Sequence, residues 1–104
     1  MKKYKVLLFD EARSDIDIIY NYYLQETQSK EIAHKIYENI IKKIISLSFF
    51  PNRFRELIEE KNIRVVQIYR FLIVYNVFEE EKSVLIRRII CSAMNIEKLI
   101  DRFK

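Results

Sequence analysis

The chain has 104 residues, half of them apolar and a third charged, which is the composition of one soluble domain with a hydrophobic core. Because it has no glycine, it cannot form a glycine-rich phosphate loop, a dinucleotide-binding fingerprint or a nucleophile elbow. Its single histidine and single cysteine, His34 and Cys91, cannot furnish a Cys/His zinc site or an internal disulfide.

The formal net charge is +4, and most of the arginines lie after residue 50. Arginine binds phosphate and carboxylate groups well because its planar guanidinium forms paired hydrogen bonds. The sequence therefore indicates an anionic partner, either nucleic acid or an acidic protein segment, although solvated charges on a small domain give the same composition. No apolar run approaches the roughly 18–20 residues that cross a bilayer, so we expect a cytoplasmic protein with no membrane partner. The arginines after residue 50 are Arg53, Arg55, Arg64, Arg70, Arg87, Arg88 and Arg102.

The first half of the chain predicts a strand and two helices. Apolar and charged residues alternate over Lys2–Phe9, which is typical of a strand. Asp10 is then a predicted N-cap for a helix that runs from Ala12 to about Gln25, with Asp15 on its polar side. Ser29 is the predicted N-cap of a second helix, which ends before Pro51. The short connection between them predicts an antiparallel helical hairpin.

The second half predicts a sheet. Residues 52–62 are charged and predicted to be irregular, and three β-branched and aromatic strands follow. The middle one is apolar on both faces, so we place it in the centre of the sheet, with a hairpin turn at Glu79–Lys82 after it. Cys91, at the end of the last strand, is predicted to be a small buried side chain and not a reactive thiol. The predicted strands are Ile63–Tyr69, Phe71–Phe78 and Val84–Cys91.

The tail is the last predicted element. Residues 95–104 carry apolar side chains at helical spacing and predict a short amphipathic helix. The whole chain, residues 1–104, is thus predicted to be a single α+β domain. Its order is β-α-α-β-β-β with a short C-terminal helix, and its helical hairpin packs on a small, mainly antiparallel sheet.

Four stretches of the chain carry motifs of a known superfamily, in the order that superfamily has them. Arg64 and Tyr75 occupy matching positions, and Phe71 stands where a tyrosine is usual. The stretches are Tyr4–Ile16, with Ala12 and either Asp15 or Asp17 as motif positions, Ile44–Pro51, Ile63–Val77 and Ile86–Leu99. The chain therefore resembles the RelE/ParE superfamily of bacterial type II toxin–antitoxin toxins over nearly its whole length.

The resemblance implies a growth-inhibiting toxin of the kind involved in plasmid stabilisation, with no cofactor and no metal. It implies a cognate antitoxin that neutralises the toxin in a hetero-oligomer by folding onto it. The apolar residues of the tail helix, Leu99, Ile100 and Phe103, either cover the sheet or are partner-binding residues at the antitoxin site. The superfamily has two activities. ParE-like members inhibit DNA gyrase and are not enzymes, whereas RelE-like members are metal-independent endoribonucleases that cut mRNA on the ribosome.

A nuclease of this kind needs a general base, an acid and cations that stabilise the charge on the phosphate. Arg64, Arg70 and Arg88 are the candidate cations, and Tyr75 could hydrogen-bond to or stack on a base. The resemblance fails in the loop after the last strand. Cys91 stands where a histidine or tyrosine is usual, and Ala93 and Met94 stand where basic residues are usual.

These losses remove cations from the transition state and favour a ParE-like inhibitor of gyrase. A RelE-like nuclease is the alternative, and a non-toxic module that binds nucleic acid or an antitoxin is a further one. Whether the altered loop leaves the chain active, which target it has and which oligomer it forms stay open at this point.

Overall fold

The structure is a computed structural model that describes residues 3–58 and 62–91. It contains two helices that pack against each other and a five-stranded sheet, which confirms the predicted α+β order. The predicted tail helix lies outside the described residues. The elements are β1 (Lys5–Leu8), α1 (Asp10–Thr27), α2 (Lys30–Ser46), a 3-10 turn (Pro51–Arg53), β2 (Arg55–Ile58), β3 (Ile63–Ile68), β4 (Phe71–Phe78) and β5 (Ser83–Cys91).

The strands lie in the order β1-β5-β4-β3-β2. The pairing of β1 with β5 is parallel and the other three pairings are antiparallel, so the sheet is mainly antiparallel and β4 is central, as predicted. The prediction of irregular chain over residues 52–62 is wrong for β2, which pairs with β3 at the edge of the sheet. This strand has only four residues, half of them charged, so its own sequence carries little strand signal and its pairing with β3 decides its conformation.

The central strand divides its side chains between two apolar clusters. Ile73 and Tyr75 pack with the buried residues of both helices, such as Ile16 and Ile40. Val74, between them, belongs to a second cluster on the opposite face, with Ile63, Val65 and Ile90. This explains why β4 is apolar on both parities. In the part of the chain that the structure describes, no helix is long and apolar enough to span a membrane.

The two helix starts differ in how they are capped. Ser29 caps α2 as predicted, since its Oγ accepts a hydrogen bond from the backbone N–H of Ile32 at 3.2 Å. The prediction for α1 is wrong by one residue, because Phe9 is at the N-cap and Asp10 is the first helical residue. Phe9 makes no side-chain cap, so the acidic pair Asp10 and Glu11 stabilises this end only through the helix dipole.

The link between the helices holds a glutamine in a glycine-like conformation. Gln28 has φ 53° and ψ 27°, and its backbone N–H caps the carbonyl of Leu24. A left-handed conformation is unfavourable for a residue with a Cβ atom, so we expect Gln28→Gly to raise the free energy of unfolding by about 0.5 kcal/mol. The matched control is Gln25→Gly, at an exposed position inside α1, which should lower it by about 1 kcal/mol. Urea unfolding measures both changes, and two changes of the same sign would contradict the left-handed conformation of Gln28.

Candidate functional site

Arg64 of β3 holds the segment before it onto the sheet. Its Nη1 donates to the backbone carbonyls of Asn52 and Phe54, at 3.0 and 2.7 Å. Its Nη2 forms an ion pair with Oε1 of Glu56 at 2.6 Å. Only 12% of the Arg64 side chain is exposed. Nη1 and Nη2 therefore fasten the 3-10 turn and β2 to β3, while the buried Nε of Arg64 has no acceptor within the described residues.

Tyr75 lies directly opposite Arg64 on β4. Its side chain is fully buried, and its hydroxyl donates to the backbone carbonyl of Pro51 at 2.6 Å. Burial raises the pKa of the Tyr75 phenol to about 12, against a smaller opposing effect of the Arg64 and Arg53 charges. The ring is part of the core, so in this structure neither of its faces is available for stacking on a base.

Replacing Tyr75 with Phe tests this structural role. The variant leaves the buried carbonyl of Pro51 without its donor, so we expect it to lower the free energy of unfolding by about 1–2 kcal/mol at neutral pH. Because the phenol titrates near 12 in the folded chain but at about 10 when unfolded, the wild type loses stability as pH rises above 10. The free energies of unfolding of Tyr75→Phe and wild type, measured with urea, should therefore differ less at about pH 10.5 than at pH 8. A difference that stays constant would contradict the burial of the phenol.

Arg88 of β5 pairs with a carboxylate from the first helix. Its Nε and Nη2 donate to the two oxygens of Asp15 at 2.7 and 3.1 Å, and the backbone N–H of Ile89 donates to the same carboxylate at 2.9 Å. The hydrogen bonds that the Arg88 guanidinium donates to Asp15 raise its pKa further above its ordinary value. Asp15 is 9% exposed, so its predicted place on the polar side of the helix is wrong. The pair joins α1 to the sheet.

A bulge in β5 separates the two adjacent arginines. Tyr75 pairs with Ile86 and Val74 pairs with Arg88, so Arg87 is an extra residue on that strand. Nη1 of Arg87 donates to Oδ1 of Asn76 at 3.1 Å, and its guanidinium lies 5.1 Å from the centre of the Phe9 ring. Bulges turn side chains away from the regular alternation, and here the two arginines contact different elements.

Arg70 differs from the other three predicted residues. It lies in the two-residue turn between Ile68 and Phe71, is exposed, and forms no hydrogen bond or ion pair within residues 3–58 and 62–91. Four steps of extended strand, from Arg64 to Ile68, which span roughly 13 Å, and then the turn itself separate it from Arg64. Arg64, Tyr75 and Arg88 thus lie close together on three neighbouring strands, each engaged within the fold, while Arg70 lies apart from them.

An open groove lies beside Arg70. Ile18, Ile19 and Tyr22 of α1 form one wall and Arg70, Phe71 and Cys91 at the end of the sheet form the other, around a cavity of about 370 Å³. We call this the α1 groove. Cys91 is exposed there, so the prediction that it is buried is wrong.

Two further sets of predicted residues are not placed by the structure. The tail residues Leu99, Ile100 and Phe103 lie outside the described part of the chain, as do Ala93 and Met94. Over the described ranges, no three His, Cys, Asp or Glu side chains come together as metal ligands would.

The chain is similar to known toxins in sequence and in fold. A family model described as the ParE toxin of the type II toxin–antitoxin system parDE matches residues 6–96. The chromosomal ParDE toxin–antitoxin system of P. aeruginosa contains a chain with 22% identity and a TM-score of 0.72, covering 86% of this chain and 96% of that one. The RelBE2 toxin–antitoxin complex of Mycobacterium tuberculosis contains one with 18% identity and a TM-score of 0.65, covering 90% and 97%. No curated protein matches. At these identities the two structures show the fold alone.

Proposed function

We propose that this chain, which belongs to the ParE toxin family of type II toxin–antitoxin systems, arrests growth by inhibiting DNA gyrase. It acts in the cytoplasm, and a cognate antitoxin neutralises it in a hetero-oligomeric complex. The toxin needs no catalytic residues for this activity, because it acts by binding its target.

One observation supports DNA gyrase over mRNA as the target: most of the candidate catalytic residues are already bonded to other groups of the protein. A nuclease must direct cations at the phosphate that it cleaves. Arg64 and Arg88 direct their donors at Glu56, at two carbonyls and at Asp15, and Tyr75 is buried. Contact with a phosphate would require these bonds to break, and a buried group that loses its partner costs about 1–3 kcal/mol. Of the three predicted arginines, only Arg70 has an exposed guanidinium that forms no hydrogen bond in the described chain.

Pulse labelling in bacteria tests the proposal. After controlled induction of the chain, we expect thymidine incorporation to fall within the first minutes while methionine incorporation continues. The reverse order would contradict gyrase inhibition and support a RelE-like nuclease. Continued growth with neither loss would contradict the toxin assignment for this member.

The antitoxin can be identified by a selection in the same strain. A library of genomic fragments from the source organism is expressed together with the toxin, and survivors are collected. We expect a survivor that encodes a small protein, and this protein should co-purify with the chain. If every survivor carries a mutation in the toxin gene instead, neutralisation by a cognate antitoxin is contradicted.

A further inference from the structure

Two consecutive phenylalanines lie exposed just after α2. Phe49 is 44% exposed and Phe50 is 59% exposed, although a soluble domain usually buries its phenylalanines. Phe50 also has a left-handed backbone, with φ 48° and ψ 54°, which is unfavourable for a bulky side chain. Within the part of the chain that the structure describes, neither ring packs against another aromatic ring. Both rings are therefore available to a partner.

Cations lie beside this aromatic segment. Nζ of Lys3 lies 5.8 Å from the centre of the Phe49 ring. The Arg53 guanidinium donates to the carbonyl of Phe49 at 2.5 Å and lies 4.5 Å from the centre of the Phe54 ring. Nζ of Lys43 lies 5.2 Å from the centre of that same ring. Among residues 3–58 and 62–91 none of these cations forms an ion pair with a carboxylate, so the fold does not neutralise their charge.

An open cavity of about 350 Å³ continues this surface. Lys3, which lies beside the Phe49 ring, also lines the cavity, and so does Lys5, two residues further along the chain. Val6 and Ile45 give the cavity an apolar wall. Lysine charges beside an apolar wall can contact both the phosphate and the flat base of a nucleotide.

Together these residues form a surface that we call the α2-end patch. Proteins that bind single-stranded nucleic acid combine cations that follow the phosphates with exposed aromatic rings on which bases stack. The bases of a duplex already stack on one another, so exposed rings favour an unpaired strand. An acidic protein segment would pair with the cations but has no row of flat groups for the rings. The members of the patch are Lys3, Lys5, Lys43, Phe49, Phe50 and Arg53.

We propose that the α2-end patch binds single-stranded DNA, with phosphates on its lysines and its arginine and an unpaired base on Phe50. This is a binding site in addition to the proposed function. Only the choice of DNA over RNA rests on that function, because the proposed target is an enzyme that acts on DNA.

Fluorescence anisotropy with the purified chain tests the proposal. The probe is a fluorescein-labelled oligodeoxyuridylate of about 12 nucleotides. The patch has four cations, so we expect the logarithm of the binding constant to fall with the logarithm of the salt concentration with a slope of about −2 to −3. Absence of binding at about 50 mM salt would overturn the proposal.

A variant of Phe50 tests the stacking. Phe50→Asn removes the ring but keeps a residue that tolerates the left-handed conformation, so we expect it to raise the Kd about tenfold. Its matched control is Tyr69→Asn, in the turn between β3 and β4. Tyr69 is also an exposed aromatic residue at positive φ, 49% and 54°, but lies outside the patch, so the control should change the Kd less than twofold. Equal effects of the two variants would contradict stacking on Phe50.

A second pair of variants tests the phosphate contacts. Lys43→Gln removes one charge from the patch and should make the salt slope shallower by about 0.7. Lys35→Gln removes the same charge from an exposed position of α2 about two turns earlier, and should leave the slope unchanged. Slopes that change equally would show that net charge, and not this patch, governs binding. Circular dichroism checks that every variant is folded.

Three unlabelled competitors identify the class of ligand. They are a DNA duplex of the same length, the matched oligouridylate, which differs only in its 2′-hydroxyls, and polyglutamate. We expect unlabelled oligodeoxyuridylate to displace the probe at a lower concentration than any of them. A competitor that displaces the probe equally well or better overturns the proposal in favour of a duplex, an RNA or an acidic protein segment, respectively.

This experiment also separates the inference from the proposed function. The binding assay contains no gyrase, so its failure leaves the inhibition of gyrase untouched. If the chain binds the oligonucleotide as expected but does not affect gyrase, the proposed function fails and the binding site stands.

Discussion

Asp15→Asn is expected to lower the free energy of unfolding by about 2–3 kcal/mol, because it leaves the Arg88 guanidinium without its charged acceptor. Removal of one partner of a fully buried pair costs about 3–5 kcal/mol. The effect here is smaller because about a quarter of the Arg88 side chain is exposed and can be hydrated. Arg88→Met should cost a similar amount, since it leaves the carboxylate of Asp15 with only the N–H of Ile89.

The double variant distinguishes a pair from two independent residues. If Asp15 and Arg88 stabilise each other, the double variant Asp15→Asn with Arg88→Met should lose clearly less free energy of unfolding than the two single variants lose together. Urea unfolding measures all three. Arg70→Gln is the control and should change stability by less than about 0.5 kcal/mol, because its side chain is exposed and makes no bond within the described residues. Strictly additive losses would contradict a direct interaction.

Arg64→Met is expected to lower the free energy of unfolding by about 2 kcal/mol. It keeps the apolar stem but removes the donors to the carbonyls of Asn52 and Phe54 and the ion pair with Glu56. Because these bonds fasten β2 to the sheet, the loss should be largest there, and amide hydrogen exchange should accelerate more in β2 than in β4.

The control for Arg64 is Arg55→Met. Arg55 is an exposed arginine of β2 itself, so its replacement should leave both stability and amide exchange nearly unchanged. Equal effects of Arg55→Met and Arg64→Met would show that loss of charge, and not loss of the bonds of Arg64, weakens the edge of the sheet.

The helices and the central strand could be predicted because their signals are local. Ser29 is followed three residues later by the amide that it caps, and β4 is apolar on both parities because both of its faces are buried. Hairpin turns without glycine were harder to foresee. The chain forms them with Tyr69 and Lys82 at positive φ, 54° and 49°. Such conformations are unfavourable for residues with a Cβ, so strand pairing must offset their energy.

The roles of the site residues depend on contacts between distant parts of the chain. Asp15 and Arg88 are 73 positions apart in the sequence. The position of Arg88 also depends on a bulge in β5 that no sequence motif predicts. Asp15 did carry one local signal. It lies three residues after Ala12 and four before Ile19, both buried, and this spacing places it on the apolar face of α1. A carboxylate on such a face predicts a cationic partner within the fold, and the last strand contains two arginines that could be this partner.

The exposure of Cys91 could not be derived from the sequence either. A cysteine at the end of an apolar strand is usually buried, but here the strand ends at the rim of the α1 groove. Burial at such a position depends on whether another segment covers the groove, and strand periodicity does not carry that information.

A supercoiling assay with purified DNA gyrase tests the central claim most directly. The purified chain is added to one reaction with gyrase, ATP and relaxed plasmid. It is also added to a parallel reaction with translating ribosomes and a defined mRNA. We predict that the chain inhibits supercoiling at a concentration near that of the enzyme and leaves the mRNA intact. Unaffected supercoiling together with cleavage of the mRNA on the ribosome would contradict the proposal, and it would mean that Arg64 and Arg88 release their partners to act on phosphate.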